Sequence, residues 1–297
     1  MEATVAICTW NRAELLDTTL ASLAKVGVPR DVIWKVIVAD NNSSDDTAQV
    51  LDRHVNRLPL QRLFVKQQGK SHALNAVIER LQGDLVLWAD DDVLFDSQWL
   101  ASYVDAARLH PNAGFFGGPI IPRFLGGEPD WLRPAWEFVN AAYGLRDFGA
   151  EPFRLDANRL PFGANWAVRV PLQKKYAYRT ELGRRGELLL TGEETDVMLR
   201  LLADGHEGMW TPQSPVEHLV TPERGHADVM RGHFFGDAEC TSRAGSSFIA
   251  RLLIGACHAC AALCCQWIGS FYPQASRPER WMKFLMYSSC SWGHVEA

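Results

Sequence analysis

The stretch Asp84-Leu-Val-Leu-Trp-Ala-Asp-Asp-Asp-Val93 decides how this chain is read. Leu85, Val86, Leu87 and Trp88 form a short continuous apolar run bounded by polar residues, the pattern of a strand buried on both faces. Three carboxylates follow at once, Asp90, Asp91 and Asp92. Adjacent like charges are costly unless positive charge sits among them. A hard divalent cation, Mg²⁺ or Mn²⁺, is one solution, because such ions prefer carboxylate oxygens. Ligands also gather at the carboxyl ends of strands in open α/β sheets. The competing reading is an acidic turn, or a helix N-cap between Asp92 and Asp96.

The sequence on either side repeats strand and helix. Thr4-Val-Ala-Ile-Cys-Thr9 reads as a first strand. Trp10-Asn-Arg12 turns the chain, with Asn11 as candidate N-cap. Leu16, Leu20 and Leu23 keep helical spacing up to Gly27 and Pro29. Val32–Val38 is a second strand, ending in the cap-rich loop Asp40-Asn-Asn-Ser-Ser-Asp-Asp46. Leu63-Phe-Val65 is a short third strand. After Gln68-Gly-Lys-Ser71 comes a helix with an apolar stripe of Leu74, Val77, Ile78 and Leu81. This alternation predicts a mostly parallel sheet built from right-handed crossovers. Asp40 and Asp90–Asp92 then line one sheet edge. A nucleotide could use that edge, with Asp40 accepting hydrogen bonds from base or ribose and Lys70 adding positive charge near a diphosphate. Turn chemistry for Asp40 and a solvated lysine for Lys70 are the plain alternatives.

From Gly114 the character changes. Gly114–Pro122 reads as one strand with tight backbone. A segment rich in Trp, Pro and Gly follows, with Trp131, Trp136, Tyr143 and Phe148; its aromatics either pack the loop down or offer stacking faces to sugar rings. Pro161–Arg169 is another strand, and Asn165 within it needs a hydrogen-bond partner if buried. Gly192-Glu-Glu-Thr-Asp196 opens a helix with a stripe of Val197, Met198, Leu201 and Leu202. Acidic residues suit a helix N-terminus, but Glu193, Glu194 and Asp196 exceed what capping requires, so one of them is a candidate general base. Gly208–Pro212 reads as an edge strand. His218, in Val216-Glu-His218, is either a metal ligand or a satisfied loop histidine.

Composition limits the choices. The chain has 297 residues, 47% hydrophobic and 22% charged, with a net charge of −5. That is enough for a large core, and no block of Lys and Arg favours nucleic acid. The chain opens without a basic leader and cleavage site, and four of its seven cysteines crowd into Cys257–Cys265 rather than forming a spaced framework. A reducing, cytoplasmic setting is the expectation. Residues 248–268 come near the roughly 20 apolar residues needed to span a bilayer, although Arg251 and His258 interrupt them. Peripheral association with the inner face of the cytoplasmic membrane is preferred over a span, with Arg277, Arg280, Trp281 and Lys283 at an anionic surface. A zinc site among Cys257, His258, Cys260, Cys264 and Cys265 is the weaker reading.

Taken in order, Val5–Arg12, Ala39–Thr47, Gly69–Asn75, Ala89–Asp92, Gly163–Asn165, Gly192–Asp196 and Val216–His218 resemble the family 2 glycosyltransferases of the GT-A fold, over roughly residues 3–235. The resemblance implies an α/β GT-A fold, with a Rossmann-like central sheet flanked by helices and a C-terminal helical tail. It implies a catalytic domain over 1–240, with a donor half at 1–112 and an acceptor half at 113–240, then a tail at 241–297. It further implies an inverting transfer from a UDP-, GDP- or dTDP-sugar to a glycan or lipid-linked acceptor in envelope or exopolysaccharide synthesis. Asp92, Asp90 and His218 then correspond to metal positions. Thr9, Asn11, Arg12, Asp40, Lys70, Asn75, Asp90 and Asp91 correspond to nucleotide-sugar positions. The family usually shows Glu-Asp in the base motif; here Glu194 stands in the Asp position, with Glu193 beside it and Asp196 as fallback. Two rivals are a sugar nucleotidyltransferase, which usually carries a Gly-rich basic loop that Cys8–Arg12 lacks, and a non-catalytic nucleotide-sugar-binding protein.

Overall fold

The computed structural model describes residues 1–130, 132–184 and 192–225. The tail from 241, including 248–268 and the cysteine cluster, lies outside the described residues, as does Trp131. Among the described residues no helix is long and apolar enough to cross a membrane.

The first half alternates as expected: β1 (Glu2–Thr9), α1 (Ala13–Leu23), β2 (Ile33–Asp40), α2 (Thr47–His54), β3 (Leu60–Phe64), α3 (Lys70–Ile78) and β4 (Leu85–Ala89). Next come β5 (Val93–Phe95), α4 (Trp99–Leu109), β6 (Ala113–Gly117), β7 (Ile120–Phe124), α5 (Leu132–Val139), β8 (Arg154–Leu155), β9 (Asn165–Arg169) and α6 (Val170–Lys175). The described chain finishes with α7 (Glu193–Ala203), β10 (Glu207–Trp210) and β11 (Val216–Val220). An eight-stranded sheet runs in the order β3-β2-β1-β4-β9-β6-β10-β8, and β5-β11-β7 form a second sheet.

Alternation along the strands explains the layering. Val5 and Ile7 of β1 and Leu85 and Leu87 of β4 join a core with Leu16, Leu20 and Leu23 of α1 and with Trp99 and Tyr103 of α4. Ala6, Val86 and Trp88 point the other way, onto Leu74 and Val77 of α3 and Val197 and Met198 of α7. Burying one such side chain contributes about 1.5–3 kcal/mol, so a sheet covered on both faces is strongly held. All five residues of β4 are buried, as its continuous apolar run requires.

Four expectations need correction. Gly114–Pro122 is not one strand: Gly118 and Pro119 separate β6 from β7, which belong to different sheets. The strand at 207–210 is not an edge, because β8 pairs antiparallel outside it. Asn11 is not the N-cap of α1. Arg12 holds that place, Asn11 adopts a φ of 51°, and Asp45 Oδ2 accepts the Ala13 N–H at 2.9 Å from the loop after β2. Asp92–Asp96 opens no helix, since β5 intervenes.

The chain forms two compact units. The first comprises Met1–Arg123, Gly144–Glu181 and Glu193–Leu219. In the second, Trp136 stacks on Tyr143 at 6.3 Å and both rings meet Phe124, so Trp136 packs its own loop down.

Asn165 settles how a buried amide is satisfied. It is fully buried, and its Oδ1 accepts from Trp99 Nε1 (2.8 Å) and Tyr103 Oη (2.9 Å). Its Nδ2 donates to Pro119 O and Ser214 O, both at 2.8 Å. Asn165→Leu would strand Trp99 Nε1, Pro119 O and Ser214 O, each unsatisfied group costing about 1–3 kcal/mol, and leave Tyr103 Oη only its bond to the Asn165 backbone oxygen at 3.1 Å. The expected loss is about 3 kcal/mol or more in chemical denaturation; a loss under about 1 kcal/mol would show that these bonds do not hold the strand.

Candidate active site

Strand register gathers the candidate residues at one sheet edge. In the parallel ladders Thr9 of β1 faces Asp40 of β2, and Ile7 faces Ala89 of β4. The chain leaves β4 directly into Asp90, Asp91 and Asp92. These three carboxylates go to different partners.

Asp91 turns inward. It is 4% exposed; its Oδ2 accepts from Thr9 Oγ1 at 2.7 Å and its Oδ1 from Arg12 Nη1 at 2.7 Å. Its backbone oxygen accepts from Thr19 Oγ1 at 2.9 Å. Burial pushes its carboxyl up, while Arg12 works against that. Arg12 Nη1 also reaches Asp92 Oδ2 at 2.8 Å, and Asp91 above all raises the guanidinium further beyond its usual range. Thr9 and Arg12, expected at a nucleotide, are spent on the acidic turn. Asn11 is likewise engaged: its Oδ1 accepts from Ser44 N at 2.7 Å, and its own N–H donates to Ser43 Oγ at 3.0 Å. Asp40 Oδ1 accepts from Ser43 N at 2.8 Å.

Asp92 faces His218. The antiparallel pairing of β5 with β11 sets Val93 opposite His218, and Leu219 N donates to Asp92 O at 2.7 Å. This brings His218 Nε2 to 3.4 Å from Asp92 Oδ2. Gly144 lies against the imidazole with φ 87°, and a Cβ there would stand 3.0 Å from Nδ1. A carboxylate and an imidazole at this spacing fit as neighbouring ligands of one small divalent cation, whose donor distances are about 2.0–2.2 Å. Among the described residues no three His, Cys, Asp or Glu side chains form a ready cation site. Asp90, also expected as a ligand, pairs with Lys70 at 3.2 Å.

Lys70 is the second cation of the site. Its Nζ lies 2.7 Å from Glu194 Oε1, 3.2 Å from Glu193 Oε1 and 3.2 Å from Asp90 Oδ1. Burial opposes its charge, yet Asp90, Glu194 and Glu193 together hold the ammonium well above the usual lysine range. One ammonium cannot balance three carboxylates. Burial first, then the neighbouring Glu193, push Glu194 up to about 8 despite Lys70. Lys70 is thus a partner of the candidate base rather than a solvated lysine. Gly163 completes the seat: a Cβ there would stand 2.0 Å from Glu194 Oε1, so only glycine leaves room for this carboxylate.

Two expected site residues have structural jobs. Asp196, the expected fallback base, pairs with Arg200 at 2.8 Å and Arg179 at 3.4 Å. Asn75 clamps the backbone of Tyr178, its Nδ2 donating to Tyr178 O at 2.8 Å and its Oδ1 accepting Tyr178 N–H at 2.9 Å. The Asp196–Arg200 pair was readable as an i,i+4 contact. Gly163 as a seat, Tyr178 and Asp45 carried no local signal.

Comparison with known proteins agrees with this geometry. The profile described as Glycosyl transferase family 2 matches residues 4–167. The succinoglycan biosynthesis protein ExoM of Rhizobium meliloti is 27% identical over 229 residues, 74% of this chain and 67% of that protein. A glucosyl-dolichyl phosphate glucuronosyltransferase of Haloferax volcanii is 24% identical over 243 residues, 77% of this chain and 73% of that protein. The fold is shared with a mannosyltransferase of Pyrobaculum calidifontis solved with GDP-Man and Mn²⁺, at TM-score 0.65 and 19% identity, over 97% of this chain and 85% of that one. Helices on both faces of a mixed sheet, an acidic turn after the fourth strand and a profile match over more than half of the sequence lead to one assignment: the chain is a GT-A glycosyltransferase and belongs to glycosyl transferase family 2.

Proposed function

We propose that this enzyme moves a sugar from a nucleotide-sugar donor to a hydroxyl of a glycan or lipid-linked acceptor, with inversion, in cell-envelope or exopolysaccharide synthesis. The observation that carries the reading is the Glu194 carboxylate. Lys70 grips it, Gly163 makes room for it, and its proton affinity is raised towards neutrality. A base poised near the working pH suits proton abstraction from an alcohol.

Asp40, at the sheet edge, would take hydrogen bonds from the base or ribose. Asp92 and His218 would hold a divalent cation, which when bound stabilises negative charge on the departing diphosphate. Arg12 and Lys70 offset part of the surrounding negative charge. Glu194 takes the acceptor hydroxyl's proton. The new C–O bond forms at the anomeric carbon as the bond to the diphosphate breaks on the opposite face, and the electron pair leaves with the diphosphate. Fixing donor and acceptor in one site supplies the proximity contribution. The related glucuronosyltransferase, named for a dolichyl phosphate substrate, supports lipid-linked acceptors; the composition of residues 248–268 is what favours a peripheral place at the inner membrane face.

Glu194→Gln keeps the contact with Lys70 but cannot take a proton, so kcat falls on the order of 10³-fold with donor binding unchanged. In the parent enzyme only about a tenth of Glu194 is ionised at pH 7 if it titrates near 8. Turnover therefore rises with pH through that value, and a limb absent from kcat against pH would count against this base. Stability runs the other way. The native state binds the Glu194 proton more tightly than the unfolded chain, whose value is 4.5, so stability falls as pH rises from there to about 8.

Gly163→Ala pushes into the Glu194 carboxylate. Overpacking of this kind costs about 1–3 kcal/mol of stability, while kcat drops on the order of 10²-fold through misplacement of the base. A folded variant within twofold of parental kcat would refute the seat.

A thermal-shift panel of UDP, GDP, dTDP and CMP, with and without Mn²⁺, tests the donor side. A ligand that binds only the native state raises its stability, by about 2.7 kcal/mol at a hundredfold excess over Kd. One nucleoside diphosphate is expected to raise Tm, and only with Mn²⁺ present. No shift with any of the four would overturn the nucleotide reading.

A further inference from the structure

Behind the Lys70–Glu194 pair lies a small cavity, with about 10 Å³ for the centre of a water molecule. Its lining includes Cys8, Lys70, Trp88, Trp166, Tyr178 and Glu194. Two of these side chains bring polar atoms that no described residue satisfies. Trp166 Nε1 and Tyr178 Oη are buried and have no hydrogen-bond partner among the described residues. Trp166 is 0% exposed and Tyr178 3%. Buried donors left unmade are rare in folded proteins and cost about 1–3 kcal/mol each. A buried water needs roughly 10–15 Å³ and two to four polar partners. This cavity meets both conditions.

We propose that the cavity holds one ordered water that bridges Trp166 Nε1 and Tyr178 Oη to the carboxyl of Glu194, and that Tyr178 is thereby a positioning residue for the base. The inference rests on the reading of Glu194 given above. Hydrogen-bond bookkeeping fixes the orientation. An indole N–H can only donate, so it takes one lone pair of the water. The Tyr178 hydroxyl, donating, takes the other. The water's own protons then go to acceptors, and the cavity lining offers the Glu194 carboxylate. The water thus donates to the ionised base, alongside the Lys70 ammonium on Oε1, and steadies the carboxylate for the acceptor hydroxyl.

The placement of Tyr178 is built in. Asn75 fixes its backbone from both sides, and its ring meets Trp88 edge-on at 5.6 Å. The residue lines the cavity, and its hydroxyl feels the Glu194 charge. The remaining groups that act on Glu194 come from each surrounding element: Lys70 from α3, Asp90 after β4, Glu193 from α7 and Cys8 near the end of β1. Burial keeps the Cys8 thiol protonated, its value raised beyond the usual range, so it adds no charge.

The test is Tyr178→Phe in the full chain, which retains the ring and removes the hydroxyl. Expected are a kcat about fivefold to tenfold lower at neutral pH, an ascending limb displaced to higher pH, and unchanged KM for donor and acceptor. Trp166→Phe should displace the limb in the same direction. A crystal structure of the parent enzyme should show one water within hydrogen-bond distance of both Trp166 Nε1 and Tyr178 Oη. Glu194→Gln is measured alongside. If it retains turnover, the assignment of the base fails, and the inference with it. If it is inactive while Tyr178→Phe matches the parent in kcat and limb, or changes KM and kcat together without moving the limb, the positioning role alone is overturned. A dry cavity in the crystal structure would also overturn it.

Discussion

Two cations make this site tolerable. Six carboxylates, Asp40, Asp90, Asp91, Asp92, Glu193 and Glu194, stand at or near one sheet edge, and buried charge without compensation is among the costliest features a fold can carry. Arg12, from the first loop, bridges Asp91 and Asp92. Lys70, from the first turn of α3, gathers Asp90, Glu193 and Glu194. Each cation binds elements distant in sequence, so the charge balance also fastens β1, α3, the end of β4 and α7 to one another. The division is functional as well. Arg12 attends the side where Asp92 meets His218, and Lys70 attends the side of the candidate base.

The sheet makes this balance geometric. Parallel pairing of β1 with β2 and β4 places three strand ends level, and β9, running antiparallel beside β4, sets Asn165 opposite Ala89. Asn165 joins the site to the core without touching chemistry. Its four hydrogen bonds tie α4, the turn between β6 and β7, and the loop before β11 to the start of the strand that follows Gly163. The narrow fit at Gly163 is useful only because that strand is held so firmly.

Much of the fold was legible in the sequence, where burial leaves a periodic trace. Leu16, Leu20 and Leu23, and likewise Leu74, Val77 and Ile78, show their helical stripe because one face of each helix is in the core. Leu85–Trp88 shows a continuous run because both faces of β4 are covered. Where two short elements share one apolar run the trace fails: β6 and β7 read as a single strand, and the three residues of β5 vanish behind the acidic turn. The candidate site was legible by residue type and not by partner. Asp91 and Asp92 look alike in sequence, yet one turns to Thr9 and Arg12 and the other meets His218. Asn75 and Tyr178 are 103 residues apart, and nothing local announces their clamp. Asp196 has an arginine one helical turn on, a pairing that the i,i+4 spacing makes visible in the sequence.

The cap on α1 has a meaning in time as well as in space. Asp45 receives the Ala13 N–H across 32 residues of chain, and Asn11 and Ser44 meet across 33. The first turn of α1 is thus completed by a loop that exists only after β2 has paired with β1. Closing such a span carries an entropic cost that comes before any contact returns it. The N-terminus of α1 is therefore completed by the β1-α1-β2 unit as a whole rather than by the helix's own sequence.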